Sequence, residues 1–169
     1  MSGARQLLLA GGIALAVWGM GYGLWYAVFA EHQALEAIGS SLAAGFSGAA
    51  ARNPVLAERS LQQYQQAKYV YDRHVDVHGH WIGLAMVLIV LGIGLDRLAF
   101  SERNKILLSI GAVLGSVLFP LGVLLQIPNH GNGPRALAVF GSALVIFALA
   151  VFALGFARKP SNSKETRHN

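Results

Sequence analysis

The sequence predicts an all-α integral membrane protein: a four-transmembrane-helix bundle in which an extended outer amphipathic helix leads into helix two. Composition is the first reason. Of 169 residues, 54% are hydrophobic and only 12% charged, against roughly 25% charged in soluble domains. The second is four long runs almost free of charge, each close to the ~20 residues that cross a ~30 Å hydrocarbon core. The third is that the connections between the runs are polar, charged or built from turn residues. Together these give one membrane domain over residues 1–160, with spans about 7–30, 81–100, 106–127 and 136–157, an outer segment 31–80, and a disordered cytoplasmic tail 161–169.

The first span, LLLAGGIALAVWGMGYGLWYAVFA, follows Arg5 as a signal peptide would. It is longer than the ~7–15 residues of a signal h-region and carries Trp18, Trp25 and Tyr26, so it reads as a retained helix. Gly19 and Gly23 form a GxxxG pair that permits close helix approach. The outer segment starts with a stretch of small residues, GSSLAAGFSGAAA, expected to be loop-like. Asn53-Pro54 then reads as an N-cap followed by proline at the first helical position. Beyond it Leu61, Tyr64, Tyr71, Val75, His78 and Ile82 recur at three- and four-residue steps, so helix two continues an outer amphipathic helix, with Gly79 the place for any bend. The charged turn DRLAFSERNK separates spans two and three. Pro120 lies within span three, and IPNHGNGPR is the loop before span four.

Charge distribution gives the expected orientation. The N-terminus, the 96–105 turn and the C-terminus carry Arg5, Arg97, Arg103, Lys105, Arg158, Lys159, Lys164 and Arg167; the other side carries Arg52, Arg59, Lys68, Arg73 and Arg135. The positive-inside rule makes both termini cytoplasmic, in what reads as a bacterial inner membrane. A net charge of +5 therefore reflects topology rather than nucleic-acid binding. The absence of cysteine excludes disulfides, thiolate metal sites, iron–sulfur clusters and cysteine nucleophiles.

That orientation places His32, His74, His78, His80 and His130 on the outer side. Three of them fall in YDRHVDVHGHW, residues 71–81, just ahead of an apolar helix. Ionisable groups at the mouth of a membrane helix are costly unless used. His74 and His78, four apart, share a helix face with Trp81 just beyond. His80 is turned about 200° from His78, since each residue advances ~100°. Interfacial histidines can also simply be hydrated, the plain reading for His32, His130 and His168.

Two kinds of ligand suit this stretch. His74 and His78 with Asp76 or Glu31 are candidates for a bare Zn²⁺ or Cu²⁺. Haem fits better, because one imidazole and an apolar, glycine-rich helical cleft suffice to hold a flat macrocycle. His78 is then the axial ligand, with His74 or His80 as alternatives, Tyr71 and Trp81 beside it, and Arg73, Arg135 or Lys68 available to haem propionates.

In its four spans, a histidine at the outer start of helix two, the SERNK turn and the PNHGNGPR loop, the chain resembles the membrane-embedded, haem-b-dependent styrene oxide isomerases. On that match His78 takes the axial position. The resemblance implies a trimer with haem at each protomer interface. The ferric iron serves there as Lewis acid on the oxygen of a small lipophilic epoxide, and a 1,2-hydride shift gives an aldehyde. The family's active-site Asn is replaced by Leu84, and its helix-three Tyr has no counterpart within Leu121–Leu125, where Gln126 is the nearby polar side chain. A second resemblance, to helix two of haem–copper oxidase-type subunits, implies electron transfer. A haem-free structural or interaction subunit is the remaining alternative.

Overall fold

A computed structural model describes residues 2–157. The expectation of a disordered tail at 161–169, the closing Arg158-Lys159-Pro160 and His168 lie outside the described residues. Within them the chain is helical apart from short turns: α1 (Gly3–Phe29), α2 (Glu31–Ala50), α3 (Pro54–Gly94), a single 3₁₀ turn (Leu95–Arg97), α4 (Glu102–Leu125) and α5 (Asn132–Ala157). The helices α1, α3, α4 and α5 are long and apolar enough to cross a membrane, and the fold is the all-α four-span bundle the composition predicts.

Caps set the helix starts. Ser2 accepts a hydrogen bond from the Arg5 N–H (3.3 Å), Asn53 from the Leu56 N–H (3.1 Å) with Pro54 following, and Ser101 from the Asn104 N–H (3.4 Å). The last of these starts α4 at Glu102, so most of the charged SERNK stretch is the first helical turn rather than loop. Span two ends earlier than expected, at Gly94, and α5 begins at Asn132 inside the expected loop.

The segment expected to be loop-like is instead the body of α2. Its alanines favour helix. The Ser40, Ser41 and Ser47 hydroxyls, which could have closed turns, donate to carbonyls three or four residues back in the same helix. Gly48 lets α2 approach α3: a β-carbon there would stand 2.9 Å from the Ala57 nitrogen. The α2–α3 connection is tight, with Arg52 at φ 50°. The Asn53 N–H donates to the Gly48 carbonyl (2.9 Å) and the Arg52 N–H to the Ala49 carbonyl (3.0 Å), the Schellman arrangement.

α3 runs unbroken through Gly79 for 41 residues, about 60 Å at ~1.5 Å per residue, roughly twice the hydrocarbon thickness. Its first half packs on α2 and its second half on α1, with α4 alongside; α5 packs chiefly on α4. Two glycine seams allow the close approaches. On α1, β-carbons at Gly12 and Gly19 would stand 2.8 Å from Ile89 and 3.0 Å from Trp81. Between α4 and α5, a β-carbon on Gly115 would stand 2.8 Å from the Gly141 carbonyl oxygen. Buried positions on α5 (Ala138, Gly141, Val145, Ala148, Phe152, Gly155) alternate steps of three and four, the period of a supercoiled seam. At one end of the bundle, Arg5 pairs with Asp96 (2.8 Å) and the Ala4 N–H donates to Glu102 (3.3 Å). These contacts tie the start of α1 to the turn between α3 and α4.

Candidate functional site

The helical period divides residues 69–85 of α3 between two flanks. Tyr71, His74, His78 and Trp81 face α1, whereas Tyr69, Arg73, Asp76 and His80 face the opposite way, towards α4 and the loop before α5. The structure thus keeps His74 and His78 together and separates them from His80, as the ~100° advance per residue requires.

On the α1 flank, His78 sits in the notch of the GxxxG pair. A β-carbon on Gly23 would overlap its ring, 2.5 Å from Nδ1. His78 Nδ1 is 2.9 Å from the Gly19 carbonyl oxygen. A carbonyl can only accept, so Nδ1 carries the proton and Nε2 keeps its lone pair. This is the tautomer in which an imidazole ligates a metal while its other nitrogen is held by backbone. Among the described residues, His78 Nε2 has no hydrogen-bond partner.

One turn earlier on α3, His74 packs against tyrosines of α1. Its ring stacks on Tyr26 (centroids 4.5 Å, 18° between planes) and more distantly on Tyr22 (6.1 Å). The Tyr22 hydroxyl lies 2.5 Å from His74 Nδ1. The two groups share one hydrogen bond, and where the half-buried phenol donates, Nδ1 accepts and the proton of His74 stands on Nε2. Tyr71 meets Tyr26 at 6.3 Å. Trp81, 3% exposed, makes edge contacts with Trp18 (6.0 Å) and Tyr22 (5.2 Å). Its indole N–H is buried without a partner, as is the Tyr26 hydroxyl.

The other flank is a separate arrangement. The Arg73 guanidinium lies over the Tyr69 ring (5.0 Å) and 3.7 Å from Asp76. Tyr69 stacks on His130 (5.4 Å) and its hydroxyl donates to the Gln126 carbonyl (3.5 Å). His80 donates through Nδ1 to the Asp76 carbonyl (2.5 Å) and points its ring edge-on at Phe119 (4.6 Å). It opens on a groove of about 480 Å³ that includes Gly79 and Gly83, neither of which has a neighbour within 4 Å of an added β-carbon. Arg135 is exposed at the start of α5, and Lys68 pairs with Asp72 (2.5 Å).

The bare-ion set does not assemble. Among the described residues no three His, Asp or Glu side chains come together as a metal-holding group, since Asp76 lies on the flank opposite His74 and His78. A haem requires less from the protein, a single imidazole with a free nitrogen, and both His78 and His80 have that form. Two residues of this site, Tyr22 and Tyr26, were missed from the sequence. Their signal was the step from Gly19 to Tyr22 to Tyr26, which continues the stripe Leu8, Gly12, Leu15 buried along α1. Compared with protein-family models, curated proteins and solved structures, the chain finds no match.

Proposed function

We propose that the protein is a haem b-binding integral membrane protein, with His78 as axial ligand through Nε2. The observation that carries this reading is the His78 Nδ1–H donated to the Gly19 carbonyl at 2.9 Å, which orients the ring and leaves the ligating lone pair free. The positive-inside bias supports a bacterial inner-membrane location with both termini cytoplasmic and the histidines outside. When bound, ferric haem would supply a Lewis acid suited to rearranging a small lipophilic epoxide. The resemblance to the isomerases supports that activity and a homotrimer. In this chain α1 brings two tyrosines, Tyr22 and Tyr26, to the flank of α3 that carries His74 and His78. Electron transfer is the second reading, favoured by the glycine-lined groove at His80, where a haem shared between copies would find a second imidazole.

The absorption spectrum of the full-length protein, expressed with ample haem and recorded with and without dithionite, tests this. A Soret band is expected, lost in His78→Ala and kept in His80→Ala. The opposite pattern would move the haem to the groove at His80. Absence of a Soret band in the unmodified protein would remove both readings. A five-coordinate high-spin ferric spectrum favours the Lewis-acid chemistry, and a six-coordinate low-spin one electron transfer.

A further inference from the structure

The outer hairpin, formed by α2 and the first half of α3, has almost no core of its own. Among the described residues α2 buries only Gly48, and α3 ahead of Val77 buries only Ser60. An apolar stripe on a helix is stable when another element covers it. Here Leu42, Phe46 and Leu61 are 44%, 70% and 52% exposed. They stand around one groove of about 260 Å³, whose lining includes the small residues Gly45, Ala49 and Ala57. No charged side chain lines it.

Lipid does not reach this groove. The last ~20 residues of α3, from about Val75, suffice to cross the hydrocarbon core. Tyr64 and Ala57, which line the groove on the α3 side, stand roughly 16 and 27 Å further along the same unbroken helix, at ~1.5 Å per residue. The patch is also self-complementary. Phe46 stands proud as a knob, and the groove beside it has room for a phenyl ring. Copies anchored in one membrane stand at one height, so a contact between them needs knob and hole at the same level. Both are at one level here, since Gly45 and Ala49 line the groove within a turn of Phe46 on α2. Knob and hole side by side on one patch is the form of an isologous interface about a twofold axis.

We infer that this patch is where a second copy of the chain docks, about a twofold axis along the membrane normal, with Phe46 of each copy seated in the groove of the other. The contact is separate from any threefold assembly around haem and does not rest on haem at His78. The native lack of cysteine makes it directly testable. Ala49→Cys places a thiol at the groove and leaves Phe46 in place. Gln63→Cys places one in the opposite groove of the hairpin. Two differently tagged forms of each full-length variant are co-expressed, and their membranes are treated with a short bismaleimide. Ala49→Cys should give a covalent pair carrying both tags, in several-fold higher yield than Gln63→Cys. Adding Phe46→Asp at this exposed position should cut that yield roughly tenfold, the loss expected of a central aromatic anchor. Circular dichroism checks that the helices are kept. Equal yields from Ala49→Cys and Gln63→Cys, a yield that Phe46→Asp leaves unchanged, or a product joining the chain to a different protein would each overturn the proposal.

Discussion

His78 and Gly23 are one feature seen from two helices. The imidazole occupies space that any β-carbon at position 23 would take, and its tautomer is set by the carbonyl of Gly19 one turn away. Gly23→Ala should therefore push His78 off that carbonyl and destabilise the protein by about 1–3 kcal/mol, the usual cost of overpacking. It should also lower the Soret absorbance per chain. Gly21→Ala, where an added β-carbon meets nothing within 4 Å, should change neither, as thermal unfolding in detergent and the absorption spectrum will show. At this scale the sequence was partly readable. The ~100° step per residue separates His80 from His78 without any structure, and the Gly19/Gly23 pair announces a close approach. What spacing cannot reveal is the helix that approaches, so the glycines and the histidine read as two separate motifs. The donors Tyr22 and Tyr26 were hidden for the same reason, since a tyrosine near the end of a span reads first as an interface anchor.

At the scale of elements, α2 is the instructive difference. Gly, Ser and Ala in succession suggested a loop, but serines that donate back along their own helix and glycines that meet α3 are compatible with a helix once a partner is present. Contact with α3 outweighs the weak local preference, and local preference is what a sequence displays. The helix ends on Arg52 in the left-handed region at φ 50°, a conformation costing a non-glycine residue about 1–2 kcal/mol. Arg52→Gly should relieve most of that and stabilise the α2–α3 hairpin by about 1 kcal/mol, after allowing for the greater flexibility of glycine in the unfolded chain. Chemical or thermal unfolding followed by circular dichroism will measure it. In contrast, α3 was well anticipated, because its N-cap, its proline and its three–four periodicity all pointed to the same continuous helix.

For the whole molecule, the absence of cysteine makes orientation directly measurable. Ala99 lies exposed in the turn after α3 and Gly133 exposed at the start of α5, at opposite ends of α4. In intact cells a membrane-impermeant maleimide should label Gly133→Cys. Ala99→Cys should react only after the membrane is opened. The reverse pattern would invert the protein and place the histidines inside. The arrangement of spans also leaves α5 resting chiefly on α4, with Phe140, Ile146, Phe147 and Leu154 outward, so one flank of the bundle is apolar and uncovered among the described residues. Span number was readable from the four uncharged runs, and the charge bias from the positions of the basic residues. The neighbour relations of the four spans were not, since apolar helices of similar length carry little to distinguish one partner from another.

The continuity of α3 gives the molecule a ruler. His74 and His78 are four residues apart on one unbroken helix, a fixed rise of about 6 Å, and no hinge lies between them to alter it. The Tyr26–His74 stack and any group held on His78 would therefore keep a constant separation, set by the pitch of a helix rather than by the flexibility of a loop.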